Sequence, residues 1–149
     1  MLEVLAPRTN DIAGVLIDSI DAAGEPVSAT ISDEGWSAMD AAAASLIAET
    51  DALRERPILV VAEPGRKIFG EETSGLTAAD VHAMIEADRT TFDYYLDIMR
   101  ADFVRMRDAI GTRDAATLWA VSWGVDAKCN ACHEVFWYPD WEEEAQPPQ

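Results

Sequence analysis

Trp36, Met39, Ala43, Leu46, Thr50 and Leu53 follow one another at alternating intervals of three and four residues, the spacing that sets side chains in one stripe along an α-helix. A stripe of this kind has to be buried against other helices, so it constrains the whole chain. The same period runs through Ile85, Phe92, Met99 and Met106, interleaved with Leu96, Phe103 and Ile110. It returns in Leu118, Val121, Val125, Cys129, Cys132 and Phe136, and near the start in Leu5, Ile12, Val15, Leu16 and Ile20. No segment sustains the alternation of a half-buried strand. The sequence predicts an all-α fold of four helices.

Local signals set the expected boundaries. The first helix runs from about Leu2 to Ala22, with Pro7 near its start and Gly24-Glu25-Pro26 closing it. The second follows Ser32 and stops at Arg56-Pro57. The third opens with a capping box, Thr77 and Asp80, and runs unbroken to Gly111 as its C-cap. The fourth starts at Thr112 and ends before Pro139. Short connections after the first and third helices favour antiparallel neighbours, so the expected architecture is an up-down-up-down four-helix bundle. Residues 1–138 form this single domain, and the acidic, proline-containing tail 139–149 is expected to fray. Between the second and third helices lies a linker, 56–75, holding Pro57, Pro64, Gly65, Gly70 and Gly75; a connection of about 20 residues is unusual unless it has a function.

Charge narrows the partners. With 28 Asp+Glu against 11 Lys+Arg the chain carries a net charge of −17, which opposes binding to nucleic acid or an anionic membrane surface. No window has the roughly 18 uncharged apolar residues of a spanning helix, so membrane insertion is not expected. The opening Met-Leu-Glu-Val lacks the order of a signal peptide, leaving a processed chain or one that stays inside.

The chemistry concentrates in Cys129-Asn130-Ala131-Cys132-His133. This C-x-x-C-H spacing is that of covalent c-type haem attachment. On a helix, positions i, i+3 and i+4 share a face, so two thiols can reach one porphyrin edge while the imidazole reaches the iron. Three other readings compete. A thioredoxin-like pair needs the motif at a helix N-terminus after a strand, a zinc site needs a further ligand that no second C-x-x-C supplies, and two inert cysteines can sit in any helix.

A helical bundle whose only C-x-x-C-H lies near the C-terminus resembles the class II cytochromes c, the cytochrome c′ group. That family commonly continues C-x-x-C-H-x-x-F/Y-R, and Cys129 to Phe136 fits until Trp137 takes the place of the arginine. The resemblance implies one covalent haem c on Cys129 and Cys132 with His133 as proximal iron ligand, Phe136 beside it, and maturation in the periplasm from an exported precursor. It also implies an apolar first-helix residue, here Leu5, over the distal face, where six-coordinate relatives carry methionine. Pairing of two copies through the first two helices, with Val27, Ile31 and Trp36 in the patch, follows from the same resemblance.

Bundle topology suggests what else lies near the haem: the start of the first helix, the end of the second, the start of the third and the linker. Met39, Met99 and Met106 then fall far from the haem and read as core, leaving Met1, Leu2 and Leu5 on the first helix. Counting back by sevens from Ile110 through Phe103, Leu96 and Arg89 gives His82, an inward position. His82 is thus a candidate distal ligand, or donor to a bound gas, against a helix-start histidine that merely fits. Arg89 in the same stripe would pair with a haem propionate or else extend to water; Arg66 and Lys67 offer the same role. Trp119, Trp123 and the Phe136-Trp137-Tyr138 run either pack the core or shield one haem edge.

The leading expectation is a periplasmic electron carrier, not an enzyme, whose acidic surface steers it to basic patches on redox partner proteins. The alternative is a five-coordinate haem protein binding NO or CO. A haem enzyme would need distal acid–base groups, and a helical interaction domain would carry no haem at all.

Overall fold

A computed structural model describes residues 5–57, 59–63 and 65–137. Among them every regular element is helical: α1 (Leu5–Asp18), α2 (Asp33–Glu55), the four-residue α3 (Glu71–Ser74), α4 (Ala78–Ala87), α5 (Arg89–Gly111) and α6 (Ala115–Phe136), with a 3₁₀ turn at Ser28–Thr30. The one β feature is an isolated bridge between Ile20 and Pro26. Met1, Leu2, Tyr138 and the tail 139–149 lie outside the described residues.

The apolar stripes face one another as their spacing requires. Trp36, Met39, Ala43, Leu46, Thr50 and Leu53 are all buried along α2, and Phe92, Leu96, Met99, Phe103, Met106 and Ile110 along α5. α2 and α5 run antiparallel: Arg54 pairs with Asp97, Arg100 with Asp51 (2.6 Å), Arg107 with Asp40 (2.9 Å) and Arg113 with Asp33 (2.6 Å). One set of numbers climbs as the other falls. α5 and α6 are antiparallel as well, since Phe92 meets Phe136 with ring centroids 5.7 Å apart while Met99 meets Cys129 and Asp102 meets Lys128. α1 packs on both α2 and α6, giving a helical bundle around a single core.

Several boundaries differ from expectation for identifiable reasons. α1 ends at Asp18, short of Ala22, because the Asp21 carboxylate accepts the N–H groups of Ala23 (2.8 Å) and Glu25 (3.2 Å), a turn that competes with the helix. α6 begins at Ala115 rather than Thr112. Arg113 adopts a left-handed φ of 54° and Asp114 caps the helix by accepting the Thr117 N–H at 3.0 Å. The largest correction is to the third helix, which is two. Thr77 and Asp80 form the expected capping box of α4, but Asp88 leaves helical geometry (φ −136°, ψ 61°) and its carboxylate accepts the Thr91 N–H at 3.1 Å, capping a new helix.

Between α2 and α4, Leu59 (5% exposed) and Ile68 (7% exposed) enter the core. The chain turns through Gly70 and Gly75, whose φ values of 78° and 70° bracket α3 and lie in the region that favours glycine. Among the described residues no helix is long and apolar enough to cross a membrane.

Candidate functional site

The last two turns of α6 carry the motif. Cys132 (3% exposed) and Phe136 (4% exposed) belong to the core stripe, and Cys129 is half-buried beside them. The Cys129 Sγ lies 3.7 Å from the Met99 Sδ on α5. Both cysteines are free thiols. His133 is half-buried, and its ring meets the edge of Trp137 at a centroid distance of 5.4 Å.

Burial dominates the electrostatics. It pushes the Cys129 thiol up, with the Asp126 charge adding to the effect. Cys132 is pushed up to about 12, again by burial first and by Cys129 second. Both are therefore protonated near neutral pH, the opposite of a thioredoxin-like pair, whose attacking thiol is acidic. Burial moves the His133 imidazole down, which favours its neutral, lone-pair-bearing form. Among the described residues no group of three or more His, Cys, Asp or Glu side chains is arranged to hold a metal ion. Two unoxidised thiols one turn apart, followed by a neutral imidazole, fit a c-type haem in donor chemistry.

Beside this end of the bundle lies a cavity of about 630 Å³, lined by linker residues 59–63 and 65–67, Glu71, and Thr77, Ala78, Ala79 and His82. None of Cys129, Cys132 or His133 lines it. The Trp137 indole N–H donates to the Phe69 carbonyl at 2.9 Å and so ties the linker to the end of α6. α4 packs on both α5 and α6.

The other candidates take varied places. His82 does not occupy the inward stripe: the break at Asp88 resets the register, Val81 and Ile85 are the buried residues of α4, and His82 faces the cavity, half-buried. Arg89 is employed at the C-terminus of α2. Its guanidinium donates to the carbonyls of Arg54 (2.7 Å), Arg56 (2.9 Å) and Leu53 (3.4 Å) and to the Asp93 carboxylate (2.7 Å), and it lies 5.9 Å from the Phe92 ring centre. These carbonyls are the acceptors a helix end leaves unpaired. Phe136 packs edge-on against Phe92, and Leu5 is buried in the same core cluster as Cys132.

Met99 is fully buried, as a core residue should be, yet it is not remote from the motif; it touches Cys129. The expected separation assumed that one helix ran straight from Thr77, whereas α5 restarts at Arg89 close to the motif end. Ile31 (9% exposed) and Trp36 (4% exposed) are buried within the chain, so they cannot form the expected dimer patch with Val27. Trp119 and Trp123 stack edge to face at 5.6 Å, with Trp123 62% exposed.

Sequence reading missed Asp102. Its side chain is 4% exposed, and it receives Lys128, the residue just before Cys129, together with Arg105 at 3.2 Å. An acidic residue inside the α5 stripe was the available signal, since a buried carboxylate demands a cation. Comparison of the chain with protein-family models, with curated proteins and with solved structures gives no match.

Proposed function

We propose that this chain is a monohaem c-type cytochrome that carries single electrons in the periplasm. The observation that carries the reading is the C-x-x-C-H turn at the end of α6, with two free thiols on or beside the buried stripe and an imidazole that burial keeps neutral. Cys129 and Cys132 would hold a haem c through thioethers and His133 would be its proximal ligand; when bound, the haem supplies one-electron iron chemistry. The protein's part is to fix these donors. α5 backs this end of α6 with Phe92 against Phe136 and Met99 against Cys129, and the Asp102–Lys128 pair holds α6 in register just before the first cysteine. The reading extends to an up-down-up-down arrangement of α1, α2, α5 and α6, supported by the two antiparallel pairs. The charge of −17 favours partner proteins with basic patches.

A second reading, a five-coordinate haem protein that binds NO or CO, is favoured by one observation: His82, the candidate distal ligand, lies off the inward stripe of α4, whose buried residues are Val81 and Ile85. Optical spectra of the matured protein, oxidised and reduced, with and without carbon monoxide, separate the two. A low-spin spectrum indifferent to the gas supports electron transfer. A high-spin ferrous form that takes up the gas supports gas binding, and absence of haem removes both.

A further inference from the structure

α6 is apolar on two faces. Leu118, Val121, Val125 and Cys132 are buried in the core, while Ala116, Ala120, Trp123 and Ala127 lie on the opposite side of the same helix, all exposed. Residues 115–125 form the longest run without an ionisable side chain in a chain that is 26% charged. A surface helix normally sets charged or polar groups opposite its core stripe, as α5 does with Asp97, Arg105 and Asp108. The outer face of α2 is also small, with Ala38, Ala41 and Ala48, but carries no large side chain. On α6 the face has an anchor. Trp123 is 62% exposed and is held edge to face against Trp119 at 5.6 Å, so its ring is fixed before any partner arrives, which lowers the entropy lost on contact.

We propose that this face of α6 binds the same face of a second copy of the chain, antiparallel, about a two-fold axis between Ala120 and Trp123. The stripe's spacing fits a copy of itself. Ala116, Ala120, Trp123 and Ala127 are separated by four, three and four residues, the spacing at which two helices interlock. It reads the same in both directions, so an antiparallel copy brings position 120 opposite 123 and position 116 opposite 127. Each tryptophan then meets an alanine, and the outer pairs are alanine on alanine. One chain supplies both the projection and the recess, as a two-fold contact requires. Trp123 offers about 150 Å² of accessible surface, and with Trp119 and the alanines the face offers about 500 Å² per copy, so the pair buries about 1,000 Å², the lower end of what a specific interface needs. Charge limits the strength. The stripe carries none, but each copy brings a net charge of −17, a repulsion that salt screens. The dimer is therefore weak at low salt, with a Kd on the order of 100 µM. The inference goes beyond the haem reading and does not depend on it, since no residue of the C-x-x-C-H motif belongs to the stripe.

Sedimentation equilibrium of the full chain between about 10 and 500 µM, at low salt and in about 0.5 M NaCl, tests it. The expected result is a monomer–dimer equilibrium that tightens at the higher salt, with tryptophan emission moving to the blue as the dimer forms. Trp123→Ala, which removes the projection, and Ala120→Arg, which fills the recess, should each weaken association at least about tenfold. Both positions are exposed, so the circular dichroism and melting temperature of the dilute chain should not change. Orientation is read by cross-linking in a Cys129→Ala/Cys132→Ala background: chains with Ala116→Cys mixed with chains carrying Ala127→Cys should form a disulfide-linked pair faster than either chain does with itself. A chain that stays monomeric at both salt concentrations overturns the inference. So does a dimer indifferent to both substitutions, which places the contact on another surface, and so does faster linking of Ala116→Cys chains to themselves, which makes the two helices parallel.

Discussion

Replacing Arg89 with alanine removes the clamp that joins the start of α5 to the end of α2. Two of its carbonyl contacts are short, 2.7 Å to Arg54 and 2.9 Å to Arg56, and a third, to Leu53, is long at 3.4 Å. A charged donor to a carbonyl contributes about 1.5–3 kcal/mol when shielded, but this side chain is 26% exposed, so about 1 kcal/mol for each short contact is the appropriate scale. The i, i+4 pair with Asp93 adds about 0.5 kcal/mol. The expected loss is therefore about 2.5 kcal/mol, which for a chain of this size lowers the melting temperature by roughly 5–10 °C. Thermal unfolding followed by far-ultraviolet circular dichroism, on protein without haem, measures it. Arg89→Lys should recover less than half, because an ammonium cannot serve several carbonyls with the geometry of a guanidinium. A melting temperature for Arg89→Ala within about 1 °C of wild type would refute the argument.

The remaining expectations concern the α5–α6 contact, acid stability and thiol reactivity. Lys128→Met should destabilise the chain by about 3 kcal/mol by leaving the buried Asp102 carboxylate with Arg105 alone, and the double variant Asp102→Asn/Lys128→Met should recover part of that loss in urea unfolding. Hydrogen bonds from Thr77, Thr91 and Thr117 hold Asp80, Asp88 and Asp114 below the ordinary carboxylate value of 3.8. A depressed folded-state pKa contributes stability that is present above 3.8 and lost as pH falls through the folded values. The urea midpoint should therefore drop as pH falls below about 4, and Asp88→Ala should flatten that dependence; an unchanged slope would count against the caps. Cys129 and Cys132, with thiols pushed up by burial, should react slowly with iodoacetamide at pH 8 in the native, unhaemed chain and rapidly once it is unfolded.

The helical class and the α2 and α6 stripes could be read from the sequence because one residue type repeats at helical period and nothing interrupts it. Ser32 and the Thr77–Asp80 box marked their helix starts for the same reason: the capping chemistry is local. The break at Asp88 was harder to see. Ile85, Phe92 and Leu96 keep a helical spacing across it, and the signal lay in a second cap, Asp88 with Thr91, hidden inside an apparently continuous pattern. That single error moved His82 onto the wrong face and Met99 to the wrong level. The part played by Arg89 depends on where α2 ends in space, which no local pattern contains. The motif itself was fully legible, because its residues lie within one turn and need no long-range contact to be brought together. The cavity was not, since its walls come from an irregular linker and a separate short helix.

Covalent haem attachment is the central claim, and the mass of the denatured chain tests it most directly. After expression with a c-type maturation system, the account predicts a chain heavier by one haem, with the added mass absent from Cys129→Ala/Cys132→Ala. A wild-type chain of unmodified mass with both thiols free to alkylate after denaturation would contradict it.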